Sequence, residues 1–184
     1  MRAFIAVDLD PALKSSLRDL ILRLGKTGAD VRWAGASGMH LTLKFLGEIE
    51  PDQVPAVEAA VRTAAAAAPR FPLVLAGTGT FPGAGNPRVL WAGFREAPAL
   101  MSLQRAIEDG LEAAGFPREE RDFHPHLTLG RVKSQTRVRE ALLELEKFRE
   151  TLFGEMTAAK VTLFESVLKP QGAEYRLVAE FDLP

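Results

Sequence analysis

The 184-residue sequence predicts an α+β fold, and three observations carry that prediction. Short apolar runs of strand length are interleaved with amphipathic stretches of helical period. Their order lacks the regular strand–helix alternation of a doubly wound parallel sheet. Pro and Gly punctuate the boundaries throughout, and no low-complexity linker divides the chain, so residues 1–184 are expected to form one domain.

The elements follow in order. Arg2 to Asp8 holds the run Ala3-Phe4-Ile5-Ala6-Val7, too short for the apolar core of a signal peptide and right for a buried strand. Asp10-Pro11 opens a helix with Asp as N-cap, its apolar face formed by Leu13, Leu17, Leu20, Ile21 and Leu24, and Gly25 stops it. Short strands are expected at Val31-Arg32-Trp33 and from His40 to Leu46, ending at Gly47. Pro51 opens a second helix that runs into the alanines 64–68 and closes at Pro69. Paired strands from Phe71 to Phe81 and Arg88 to Phe94 flank the turn-rich Pro82–Pro87. Pro98 to Ala114 is helical, His126 to Val132 is strand-like, and Thr136 to Arg149 is a charged amphipathic helix. Two last strands are expected over Glu155 to Leu168 and Tyr175 to Phe181.

Composition narrows the function. The chain has no cysteine, which excludes disulfides, thiolate catalysis and cysteine metal sites. No stretch reaches the roughly 20 apolar residues of a spanning helix, and a soluble cytoplasmic protein, a monomer, is the expectation. A formal charge of −1 disfavours a protein that grips long duplexes, so a nucleic-acid ligand would enter a local pocket as a nucleotide or a chain end.

The most informative feature is a repeat. His40-Leu41-Thr42-Leu43 recurs as His126-Leu127-Thr128-Leu129, each copy inside a predicted strand, in a chain with three histidines. Side chains alternate faces along a strand, so each copy anchors its leucines in the core and presents an imidazole beside a hydroxyl. Two such copies across a cleft offer two rings that can differ in protonation near neutral pH, plus two hydroxyl donors, which suits a tetrahedral oxyanion such as phosphate.

The doubled motif, in the contexts Leu41-Thr42-Leu43-Lys44-Phe45-Leu46-Gly47 and Leu127-Thr128-Leu129-Gly130-Arg131, resembles the 2H phosphoesterase superfamily. The likeness is nearest to its RNA 2′,3′-cyclic phosphodiesterases, or 2′-5′ RNA ligase-like proteins. Arg2–Val7, Arg32-Trp33, Pro87–Gly93 and the tail Phe164-Glu165-Ser166 through Tyr175-Arg176 agree with it. The resemblance implies two pseudo-symmetric lobes, each an antiparallel sheet with helices outside, and a cleft between the sheets. It implies hydrolysis of an RNA-terminal 2′,3′-cyclic phosphate to a 2′-phosphomonoester without metal or cofactor, and a reversible 2′-5′ ligation. On that pattern His40 is the general acid, His126 the general base, and Thr42 and Thr128 hold the phosphate. Other readings are a nucleotide- or RNA-end-binding module without turnover, and a 2H enzyme acting on a small cyclic nucleotide.

The family pattern gives Arg131 a phosphate-neutralising role. Strict alternation from His126 puts residue 131 on the leucine face, so that role needs a bulge near Gly130. Lys44 falls on the His40 face, as a phosphate ligand or a solvated lysine, and Phe45 falls on the core face. Trp33, Phe45 and Phe123 are candidates to stack on a base, with core packing favoured for Phe45 by its place on the leucine face. His124-Pro125-His126 with Asp122 has the spacing of a metal pair but lacks a third histidine nearby, so no metal is expected. Gly25-Lys26-Thr27 lacks the earlier glycine of a phosphate-binding loop and follows a helix where it should precede one.

Overall fold

A computed structural model describes residues 1–83 and 85–184; Ala84, inside the expected turn, lies outside the described residues. The elements are β1 (Arg2–Asp8), α1 (Pro11–Gly25), β2 (Val31–Trp33), β3 (His40–Glu48), α2 (Val54–Ala66), β4 (Phe71–Phe81) and β5 (Val89–Phe94). Then come α3 (Pro98–Ala113), β6 (His126–Val132), α4 (Val138–Glu146), β7 (Leu152–Ala158), β8 (Lys160–Lys169) and β9 (Gly172–Asp182). The strands form two antiparallel sheets, one of four in the order β3-β1-β8-β9 and one of five in the order β2-β6-β5-β4-β7. The α+β class and the two-sheet architecture are as expected.

Helices cover one face of each sheet. α1 packs against β2, β7 and α4, so it crosses from the sheet it leaves to the other one. Its buried face is Leu13, Leu17, Leu20, Ile21 and Leu24. α2 and α3 pack on each other, α2 over β8 and β9 and α3 over β3. The motif leucines Leu41, Leu43, Leu127 and Leu129 all enter the large apolar core on these helix-covered faces. Asp10 stands at the start of α1 without a side-chain capping bond; its backbone carbonyl accepts from Leu13 and Lys14 instead.

β1 explains its own sequence. Ala3, Ile5 and Val7 join the large core, while Phe4 and Ala6 belong with Phe164 to a second apolar cluster on the opposite face. A strand buried on both faces reads as a continuous apolar run.

Three expectations are corrected. The stretch expected as one strand from Glu155 to Leu168 is two, β7 and β8, which part at Ala159 and belong to different sheets. No Pro or Gly marks that break, which falls at the single residue Ala159 between the two strands. α4 begins at Val138, after Arg137 adopts a left-handed φ of 55°, and ends at Glu146, so it is shorter than 136–149 at both ends. The second helix starts with a tight 3-10 turn at Pro51–Gln53, closed by a reciprocal Glu50–Gln53 capping box, before α2 proper.

β3 and β6 are built alike to a degree that alternation alone does not foresee. From the histidine onward both run half-buried, buried, half-buried, buried, buried, exposed, half-buried. The doubled buried position is a bulge. Ile5 faces Lys44 and Ala6 faces Thr42, leaving Leu43 unpaired; Leu90 faces Gly130 and Trp91 faces Thr128, leaving Leu129 unpaired. One extra residue reverses the side chains that follow it, and in β3 a second shift leaves Leu46 unpaired between Phe45 and Gly47.

Candidate active site

His40 begins β3 directly opposite Asp8, the last residue of β1. Its ring lies against Phe164 at a centroid distance of 4.3 Å, Tyr175 at 5.1 Å and Phe4 at 5.8 Å, and its side chain is 8% exposed. Nε2 stands 3.8 Å from Asp8 Oδ1. Lys14, on α1, reaches the same carboxylate at 2.9 Å and donates to the Ser37 carbonyl at 3.2 Å. Burial pushes the His40 imidazole below the ordinary histidine value, and the neighbouring Lys14 cation adds to that. The Asp8 carboxylate and a backbone hydrogen bond with Gly38 pull it back up.

His126 begins β6 opposite Gly93 of β5. Its Nδ1 lies 2.6 Å from the His124 carbonyl oxygen. A carbonyl only accepts, so Nδ1 carries the hydrogen and the neutral ring keeps its lone pair on Nε2. Each imidazole is thus held by the backbone of the residue two positions before it, Gly38 in one case and His124 in the other. Phe81 stands edge-on to His126 at 5.0 Å.

Thr42 and Thr128 are half-buried and share their histidines' faces, opposite the buried leucines. β3 and β6 approach one another between the two sheets. The bulge at Leu129 places Arg131, exposed, on the His126–Thr128 face, which is what a phosphate role requires; it stands opposite Arg32 of β2 and Val89 of β5. Gly130 takes the buried position, where a Cβ would come within 2.5 Å of Val31 and 2.8 Å of Trp33.

The same reversal in β3 overturns two expectations. Phe45, expected in the core, is 70% exposed on the histidine face, with Phe4 at 6.0 Å. Lys44, expected beside His40, is buried on the helix side. It pairs with Glu108 of α3 at 2.8 Å and donates to the Pro117 carbonyl at 2.9 Å, so it is neither solvated nor near the phosphate face. Trp33 and Phe123 pack partly buried against the large core. Among the described residues, no group of three or more acidic or histidine side chains converges as metal ligands, and no helix is long and apolar enough to cross a membrane.

Sequence reasoning missed the aromatic residues around the imidazoles: Phe4, Phe164 and Tyr175 beside His40, and Phe81 beside His126 with Trp91 behind it. The signal was available for Phe4, since a five-residue apolar run must cover two faces. The fold and its doubled imidazole–hydroxyl face define a two-histidine phosphoesterase architecture. The chain belongs to the 2′-5′ RNA ligase superfamily, whose profile matches residues 15–169. It is 32% identical to an RNA 2′,3′-cyclic phosphodiesterase of Archaeoglobus fulgidus, over 99% of this chain and 100% of that one. It is 34% identical to the protein of that name from Methanothermobacter thermautotrophicus, over 100% and 99%. A Thermus thermophilus protein of known crystal structure superposes with a TM-score of 0.82 at 30% identity, over 100% of this chain and 98% of that one. Escherichia coli LigT in apo form shares the fold, with a TM-score of 0.79 at 24% identity over 99% and 96%.

Proposed function

We propose that this chain is an RNA 2′,3′-cyclic phosphodiesterase that opens the terminal cyclic phosphate to a 2′-phosphomonoester by acid–base catalysis between His40 and His126. The carrying observation is the matched pair of bulged strands, each presenting imidazole and threonine on one face. Relatives that bear this name and align along the whole chain support the reading.

In this reading His126 Nε2, left basic by the Nδ1 bond to the His124 carbonyl, removes a proton from water. The hydroxide attacks phosphorus, the P–O3′ bond breaks, and His40 gives its proton to O3′. Burial alone opposes protonation of His40, while Asp8 and the bound phosphate anion favour it. The Thr42 and Thr128 hydroxyls and the Arg131 guanidinium hold the non-bridging oxygens. By microscopic reversibility a 5′-hydroxyl in place of water gives a 2′-5′ diester, which makes ligation the same chemistry with another nucleophile.

The test is hydrolysis of an oligoribonucleotide ending in a 2′,3′-cyclic phosphate, in excess EDTA, by wild type, His40→Ala and His126→Ala. Each substitution is expected to cost about 10²–10⁴ in rate, the range for one acid–base group, with a 2′-phosphate as product. Tight binding without turnover would replace the enzyme by an RNA-end-binding module. Activity lost to EDTA would overturn the metal-free mechanism.

A further inference from the structure

β2 and β6 set two arginines side by side on the face of the site. Arg32 pairs directly with Arg131, between the pairs Val31–Val132 and Trp33–Gly130. Directly opposed residues of an antiparallel pair share a face, with Cβ atoms about 5 Å apart. The bulge at Leu129 turns Arg131 to the His126–Thr128 face, so Arg32 lies there too, and it is exposed. Its neighbour Trp33 turns to the helix side, where the ring lies beside Gly25 of α1 and Gly130. Among the described residues no carboxylate comes within ion-pair distance of either guanidinium, whereas Arg23, Arg118 and Arg176 each have one. Past the strand ends the Lys133 N–H donates to the Asp30 carbonyl, and that next row carries one charge of each sign. Like charges set directly opposite one another destabilise a sheet, and anions bound over them offset that cost.

In the reaction proposed above, on which this inference rests, Arg131 holds the reacting phosphate, which leaves Arg32 for a second anion. Arg32 stands on the flank of β6 away from β5. β2 is an edge of the five-stranded sheet and β3 an edge of the four-stranded one, and residues 34–39 join them. β3 carries His40 and approaches β6. The terminal ribose presents its leaving O3′ to His40, so that ribose and whatever hangs from its 5′ carbon belong to this flank. The nearest further anion of an RNA substrate is the phosphodiester one nucleotide back. A planar guanidinium with five N–H donors suits its two non-bridging oxygens.

We infer that Arg32 binds the phosphodiester immediately 5′ of the terminal nucleotide, so that the site favours an RNA strand over a nucleoside 2′,3′-cyclic phosphate. No bond forms or breaks at this subsite, and Arg32 takes no part in proton transfer. It fixes the register of the strand in the cleft while Arg131 and the two threonines hold the phosphate that opens.

The test compares a nucleoside 2′,3′-cyclic phosphate, a dinucleotide ending in one, and the same dinucleotide with a neutral methylphosphonate at its internal linkage. Wild type should prefer the dinucleotide in kcat/KM by about tenfold or more, as a charge-assisted contact gives, and the methylphosphonate should remove that preference. Arg32→Gln should remove it as well, and in that variant the methylphosphonate should cost nothing further. Arg32→Lys, which keeps the charge, should retain part of it. The slope of log affinity against log salt for the dinucleotide should fall by about 0.7 in Arg32→Gln, one phosphate contact on a single strand. A methylphosphonate as costly in Arg32→Gln as in wild type, or an Arg32→Gln loss equal for mononucleotide and dinucleotide, overturns the assignment. The same cycle read as Kd, with ligands ending in a 2′-phosphate, separates this inference from the catalytic one. No turnover of any substrate, with a binding preference that still depends on Arg32, sinks the reaction and leaves the subsite standing.

Discussion

Replacing Lys44 by Met should unfold the protein at markedly lower temperature without altering the chemistry of its site. The Lys44 ammonium and the Glu108 carboxylate are 4% and 5% exposed and 2.8 Å apart. Lys44 also satisfies the Pro117 carbonyl, and Glu108 Oε2 accepts weakly from the Glu119 N–H at 3.4 Å. Glu108 Oε1 is buried without a partner, so the carboxylate has little to fall back on. Removing the ammonium strands a buried charge and a backbone acceptor, a loss of about 3–5 kcal/mol for pairs of this kind. That is a large share of a total stability of about 5–15 kcal/mol. For a chain of this length it corresponds to a drop in Tm of about 6–20 °C. The double variant Lys44→Met/Glu108→Leu removes both charges and should recover most of the loss, because two apolar side chains need no partner. Thermal or urea denaturation of wild type, both singles and the double closes the cycle. Singles within about 0.5 kcal/mol of wild type, or a double no better than the worse single, would refute the reasoning. Turnover measured well below each Tm should stay within about threefold of wild type, since the pair sits on the helix-covered face.

The pH profile of kcat/KM tests the assignment of roles. If His40 is the acid, activity falls as pH rises through its depressed pKa. Asp8→Asn removes the carboxylate that raises that value, so the alkaline limb should move to lower pH, and Lys14→Met should move it up. Movement of the acidic limb instead would make His40 the base. Gly79→Ala places a Cβ against the Trp91 ring and should cost about 1–3 kcal/mol of stability, read by denaturation, as overpacking does. Gly130→Ala meets Val31 and Trp33 in the same way, and it should loosen β2 from β6, seen as faster exchange of the Ala34 amide, which donates to the Leu129 carbonyl.

Most of the fold was legible because strand length, helical period and Pro/Gly punctuation agree along the chain. The doubled tetrapeptide located both imidazoles and both hydroxyls, since those positions precede the bulges. What lay beyond them was misread for one reason. A bulge at Leu43 and another at Leu129 shift the pairing by one residue, and no local residue pattern marks the first of them. Strict alternation therefore sent Lys44 to the cleft and Phe45 to the core, the reverse of their places. For Arg131 the adjacent Gly130 was a usable hint, and the bulge sits one residue before it. The aromatic walls around the imidazoles come from strands far apart in sequence, which periodicity within one segment cannot bring together.

The four-stranded sheet has a consequence for how the protein comes into being. Its central strand β1 pairs with β3 on one side and with β8, from the far end of the chain, on the other, Ala3 lying opposite Glu165. The five-stranded sheet draws only on residues 31–158. During synthesis that second sheet can assemble while β1 and β3 still wait for the strands that complete their layer. Pairings so distant along the chain close slowly, because the entropy of a long loop is lost before any contact rewards it. Phe164 and Tyr175, which enclose His40, leave the ribosome after every strand of the five-stranded sheet. A chain cut short before β8 would carry the His126 strand in its sheet with no aromatic enclosure of His40, which forms only once β8 and β9 are in place.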